Sequence, residues 1–210
     1  NLQIPENTWT VIVGNNGAGK TTLLKLLAGV IKPNAGKIFF KNEVPEIGYI
    51  FQNPDDQIIQ LSIDKEMAFN LENRGVPIEE IKQKLDKFMT EYDFAGREEE
   101  SPNTLSGGEK QRLALAGTLI SEPDILIFDE PTGFLDYMQK EKLYQRIIKL
   151  KKEGKTVLWV SHEIDELFLA DQIIELQNGK IIFNGTRSEY LGNFFKQKEI
   201  IAHYLKISDS

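Results

Sequence analysis

Cysteine is absent from the chain. That excludes disulfides and thiolate metal sites and agrees with a reducing compartment. Long apolar runs are absent too: nothing approaches the roughly 20 residues needed to cross a bilayer. No basic start followed by an apolar stretch marks a signal peptide. Any work at a membrane would therefore need a docked partner. Lys and Arg number 25 against 32 Asp and Glu, a net charge of −7. No long basic stripe is visible, so a DNA-wrapping role loses weight and no nucleic-acid partner is expected. Repeats, low-complexity tracts and Pro/Gly/Ser linkers are missing as well. We expect one domain over residues 1–210, with a helical insertion at about 56–120. The chain opens at Asn1 without a Met and runs almost at once into a strand, so natural residues are expected upstream.

What remains is an ordinary globular balance, 40% hydrophobic and 27% charged over 210 residues. That is enough for one full-size α/β core. Thr8–Val13 is β-rich and ends at a glycine loop. Lys20–Leu27 reads as a helix. Lys37–Phe40 and Ile47–Phe51 read as strands between the breakers Pro33, Gly36, Pro45 and Gly48. From about Asp64 to Glu91 the apolar spacing is helical, broken in two by Gly75-Val76-Pro77. A helix is expected over Gly107–Leu119, a buried strand over Asp124–Phe128, an amphipathic helix over Lys140–Lys152 and a second buried strand over Thr156–Val160. Ile173–Leu176 and Ile181–Phe183 read as a hairpin about Asn178-Gly179. The tail from about Asn193 to Leu205 reads as helical. Met67, Phe69, Phe39 and Phe40 read as core. Strands alternating with helices imply a mostly parallel sheet with covered faces.

Gly14-Asn15-Asn16-Gly17-Ala18-Gly19-Lys20-Thr21, followed by Thr22, fits the pattern G-x-x-x-x-G-K-[ST] between a strand and a helix. Glycines let backbone N–H groups converge on phosphates, and the helix N-terminus adds partial positive charge. Lys20 should reach the β- and γ-phosphates, and the Thr21 hydroxyl should bind Mg²⁺. The strand 124–128 ends in Asp129-Glu130, two carboxylates leaving the sheet beside that loop. Asp129 is placed to hold Mg²⁺ through water. Glu130 is placed to polarise an attacking water as general base.

Leu105-Ser106-Gly107-Gly108-Glu109-Lys110-Gln111-Arg112 narrows the question. Together with the loop at Gly14 and ILIFDEP at 125–131, it resembles the nucleotide-binding subunit of ATP-binding cassette (ABC) proteins across essentially the whole chain. The resemblance implies an α/β P-loop NTPase fold, RecA-like, with an inserted helical subdomain and an antiparallel β edge. It implies ATP and Mg²⁺ as ligands and hydrolysis as the reaction. It matches Gln52 to the family's Q-loop glutamine, which touches Mg²⁺ and the water. It matches Asp136 to the D-loop aspartate and His162 to the switch histidine at the γ-phosphate. Asp136 can also cap the helix before Tyr137. Gly133-Phe134 and Tyr137 depart from the small residues and proline usual there. The adenine-stacking aromatic would lie upstream of Asn1. His203 matches nothing and reads as a surface or packing residue.

Ser106 can cap the helix starting at Gly107, and Gly107 and Gly108 leave N–H groups open to an anion. In the family this surface completes the site of an opposing subunit, so a second ABC ATPase, identical or not, is an expected partner. The segments 51–57 and 68–77 look most like the ATPase subunits of energy-coupling factor (ECF) importers for vitamins or for cobalt and nickel. That implies an integral membrane partner and a peripheral place on the cytoplasmic face of the membrane. A soluble ABC ATPase acting on ribosome or DNA is the alternative. DNA-repair relatives need a coiled-coil insertion for which the stretch from Lys20 to Ser106 has no room, and ribosomal relatives usually carry two cassettes. A cassette that binds ATP without hydrolysing it is disfavoured by the presence of Glu130 and His162.

Overall fold

A computed structural model describes residues 1–193. Six strands form one sheet: β1 (Trp9–Val13), β2 (Ile47–Ile50), β3 (Ile125–Asp129), β4 (Thr156–Val160), β5 (Gln172–Gln177) and β6 (Lys180–Thr186). Their order is β2-β3-β4-β1-β5-β6, parallel throughout except for the antiparallel β5–β6 hairpin at one edge. Every residue of β1 and β4 is buried, and apart from Thr10 and Thr156 these strands run apolar instead of alternating with polar residues.

The alternation appears instead between the two covered faces. Leu126, Phe128, Val157 and Trp159 point into one layer, while Ile127, Leu158 and Val160 point into the other. The first layer is closed by α2 (Ile63–Asn73), α3 (Ile78–Glu91), α4 (Gly107–Leu119) and α5 (Tyr137–Lys152). The second is closed in part by α1 (Lys20–Leu27), through Leu24. A short α6 (Ile164–Leu167) follows β4. The chain between β2 and β3 holds α2, α3 and α4.

Caps set several of these boundaries. Ser106 and Glu109 form a reciprocal capping box that starts α4. Asp136 and Gln139 form another, which starts α5 at Tyr137, ahead of the expected Lys140. Gly75, at φ 68, follows the end of α2. The hairpin turn Asn178-Gly179 has positive φ at both residues, as a tight two-residue turn requires.

One expected strand is absent. Residues 28–46 contain neither helix nor strand, so Lys37–Phe40 does not join the sheet. A β-rich run becomes a strand only where a neighbour accepts its ladder. This stretch has no such neighbour among the described residues. Phe39, expected in the core, is instead 82% exposed. The expected tail helix, apart from Asn193, and His203 lie outside the described residues. Among the described residues no helix is long and apolar enough to cross a membrane.

Candidate active site

The parallel strands β1, β3 and β4 end at the same edge of the sheet, and the residues singled out by motif leave from those ends. The loop after β1 turns on Gly14, Gly17 and Gly19, all at positive φ. It is seated on the neighbouring hairpin. Gly179 N donates to the Ala18 carbonyl at 3.0 Å. A Cβ on Gly14 would lie 2.3 Å from the Leu176 carbonyl oxygen of β5. Asn15, Asn16, Gly17 and Thr22 are exposed, whereas Ala18 and Lys20 are buried. The Lys20 ammonium donates to the carbonyls of Gly14 at 2.9 Å and Asn15 at 3.3 Å, which holds it folded over the loop.

Beneath the loop, the Thr21 hydroxyl donates to Asp129 Oδ1 at 3.1 Å, and the Tyr49 hydroxyl donates to Oδ2 at 3.1 Å. Asp129 is 3% exposed with no cationic side chain bonded to it among the described residues. Burial, aided by the Glu130 charge, raises its proton affinity, while the two hydroxyl donors pull the other way. Burial, and next the Asp129 charge, raises the Tyr49 phenol well above its ordinary value. A desolvated carboxylate beside a hydroxyl is a hard-oxygen donor set of the kind Mg²⁺ takes.

The next residue turns outward. Glu130 has φ 51, a left-handed conformation costly for a residue with a Cβ. Gln52 Nε2 donates to its Oε2 at 2.8 Å, and His162 Nε2 lies 2.9 Å from its Oε1. Three separate loops, after β2, β3 and β4, therefore converge on one carboxylate.

Ser106, Gly107, Gly108 and Asp136 do not join this cluster. Among the described residues no hydrogen bond links them to the loop at Gly14. Ser106 Oγ donates to Glu109 Oε2 at 2.7 Å, Asp136 caps α5, and the Phe134 ring lies 3.3 Å from where a Gly107 Cβ would be. Phe134, Tyr137 and Met138 are exposed beside them. On another face, between β2 and α2 with α4, lies a cavity of about 220 Å³ lined by Tyr49, Phe51, Phe69, Asn70 and Arg74, with the exposed Ile59 at its edge.

The protein family described as ABC transporter matches residues 1–133. The energy-coupling factor transporter ATP-binding protein EcfA1 of Staphylococcus epidermidis is 40% identical over 196 residues, covering 88% of this chain and 73% of that protein. The chain belongs to the ABC transporter family. This ABC ATPase is also similar to EcfA1 of Staphylococcus aureus, at 36% identity over 91% of the chain and 76% of the relative. Among solved structures, cbiO1 from Clostridium perfringens, described as part of the ABC transporter complex cbiONQ, superposes with a TM-score of 0.77 at 31% identity. The match covers 97% of this chain and 85% of that one. The α/β P-loop fold expected from the motifs is the fold observed, and the ATPase assignment stands with it.

Sequence reasoning passed over four side chains that the structure ties to these loops. They are Tyr49 on Asp129, Arg97 on Glu109, Lys110 on Asp55, and the buried Glu166. Glu166 accepts from Thr132, Tyr144 and Trp159, joining the turn after Glu130 to the helix after His162. Of these only Lys110 fell inside a recognisable motif; the others carry no local pattern.

Proposed function

We propose that this ABC ATPase is the hydrolysing subunit of an ECF-type importer, working as a pair of cassettes on the cytoplasmic face of a membrane partner. The observation that carries this reading is the convergence of Gln52 and His162 on Glu130, beside the Thr21–Asp129 pair. Thr21, Gln52 and Asp129 would hold Mg²⁺, which when bound neutralises phosphate charge. Lys20 and the loop N–H groups from Asn16 to Thr22 cradle the phosphates of ATP. Glu130 takes the proton of the attacking water, its carboxylate aimed by Gln52 and His162. His162 turns its Nε2 proton to the γ-phosphate when nucleotide binds, which frees one Glu130 oxygen for the water. Ser106, Gly107 and Gly108 then supply donors to the nucleotide of the second subunit, and Asp136 lies at that junction. ATP closes the pair and release of ADP and phosphate reopens it.

The names of the relatives support the importer class, and the cavity beside the Gln52 loop supports a docking face for the membrane partner. A tie from this face to the signature helix is visible: Lys110 of α4 pairs with Asp55 at 2.6 Å, three residues past Gln52.

Glu130→Gln tests the reading. Turnover should fall by roughly 10²–10⁴-fold, the usual contribution of a general base. ATP binding should persist, and a closed pair should accumulate on size-exclusion chromatography with ATP and Mg²⁺. Wild-type turnover in that variant would remove Glu130 from the mechanism. Co-purification should recover an integral membrane scaffold; recovery of ribosomes or DNA would favour the soluble alternative.

A further inference from the structure

The loop that precedes the signature segment carries a charged cluster outside every recognised motif. Arg97 Nε and Nη2 donate to the two oxygens of Glu100, at 2.6 and 3.0 Å. Its Nη1 donates to Glu109 Oε1 at 2.7 Å. The guanidinium lies 5.6 Å from the Phe94 ring centroid, over a fully buried side chain that fixes its plane. Glu100 is anchored in turn: Thr104 donates to it, and its carbonyl accepts from Ile63 N at the start of α2. Arg97 is thus held from several sides, with one fork left for Glu109.

Glu109 is the residue that defines the mouth of α4. Its Oε2 accepts from Ser106 N at 2.9 Å and from Ser106 Oγ at 2.7 Å, and its own N–H is aimed at Ser106 Oγ. The arrangement orients the serine, but it places a carboxylate next to the hydroxyl and the helix N-terminus that a phosphate must approach. A bare anion there would repel the nucleotide. Arg97 and the Ser106 donors hold the Glu109 carboxyl down to about 2, so it is ionised at any working pH. Arg97 is the cation bonded to it among the described residues.

We propose that Arg97 is a positioning residue for ATP at the second subunit's site: it orients Glu109 and offsets its charge, and through Glu109 it sets Ser106 and the α4 N-terminus to receive a phosphate. This rests on the reading that Ser106, Gly107 and Gly108 complete the nucleotide site of a paired cassette.

The test is steady-state ATP hydrolysis by the full chain assembled with its second cassette and membrane partner. The variants are Arg97→Ala, Arg97→Lys, Glu109→Gln and the Arg97→Ala/Glu109→Gln double. Binding of a fluorescent ATP analogue to the chain's own loop is measured alongside. Arg97→Ala should raise KM for ATP roughly tenfold, the scale of an unpaired charge beside a bound anion, with a smaller change in kcat. Loop binding should be unchanged. Arg97→Lys should restore most of the loss. In the Glu109→Gln background, removal of Arg97 should shift KM by less than about twofold, because Glu109 then carries no charge beside the site and Glu100 keeps its bond from Thr104. A wild-type KM for Arg97→Ala overturns the proposal, and so does the same tenfold rise in the double variant. Gly108→Asp separates the two levels. If it is inactive while Arg97→Ala behaves as wild type, only the role of Arg97 fails; if it hydrolyses normally, the shared-site reading fails with it.

Discussion

Asp129 is buried where the proposed Mg²⁺ would be held, and burial has raised its hold on a proton. The sign of the stability effect follows. The folded carboxyl binds its proton more tightly than the same group in the unfolded chain, whose ordinary value is 3.8. Stability is therefore retained below that value and lost as pH rises from it through the higher folded value. At neutral pH without Mg²⁺ the fold carries a desolvated charge. Asp129→Asn keeps an acceptor for one of the two hydroxyls, offers an amide N–H to the oxygen of the other, and removes the charge. It should melt a few degrees higher than the wild type at pH 7 in the absence of nucleotide and Mg²⁺, with the gap closing as pH approaches about 4. Hydrolysis should be lost. A variant less stable than wild type at pH 7 would show that the two hydroxyl bonds outweigh the desolvation. Asp129 was legible because carboxylates at the end of an apolar strand have a place in a phosphate-binding pattern. Tyr49, Glu166 and Arg97 were not, because their partners lie on distant elements. Tyr49 reads as one more strand residue, and Glu166 as one more charge on a short helix, until the donors around them are seen.

At the scale of elements, the phosphate loop is held by its neighbours as much as by its own sequence. It leaves β1 at Gly14 directly over the end of β5, and the β5–β6 turn donates from Gly179 to its crown at Ala18. Gly14 combines φ 146 with a Cβ position 2.3 Å from the Leu176 carbonyl oxygen, a backbone atom that cannot swing away. Gly14→Ala should displace the loop. We expect a loss of about 1–3 kcal/mol in stability, the usual scale of forced overpacking, and roughly tenfold weaker ATP binding. Calorimetry and nucleotide titration check both, and a wild-type affinity would mean that the loop can slide without changing its N–H directions. Helices α1 to α5 were legible to within a few residues because capping residues and the Gly75-Val76-Pro77 break are local signals, whereas the short α6 was not read. The stretch 37–40 was misread because strand formation is not local: Ile38 and Phe39 have the composition of a strand and no ladder to join.

At the scale of the whole molecule, the phosphate loop and the signature helix, the two surfaces proposed to face phosphate, have no hydrogen bond between them among the described residues. The motifs made both surfaces legible, but their separation within one chain follows only from the topology, which sets α4 beside β2 and the loop beside β5. On the proposed reading, one chain offers two half-sites that it does not itself join. Lys20→Ala disables the loop half and Gly108→Asp disables the signature half, so each variant alone should be inactive when two copies pair. Mixed, they can pair so that one site joins the intact loop of one copy to the intact signature of the other. An equimolar mixture should recover roughly a quarter of wild-type hydrolysis if sites act independently, because half of the pairs are mixed and each has one of two sites whole. A site contained within one chain gives no recovery, since every copy in the mixture keeps its own defect. Recovery only when a different cassette is supplied would instead place the completing signature on that second chain.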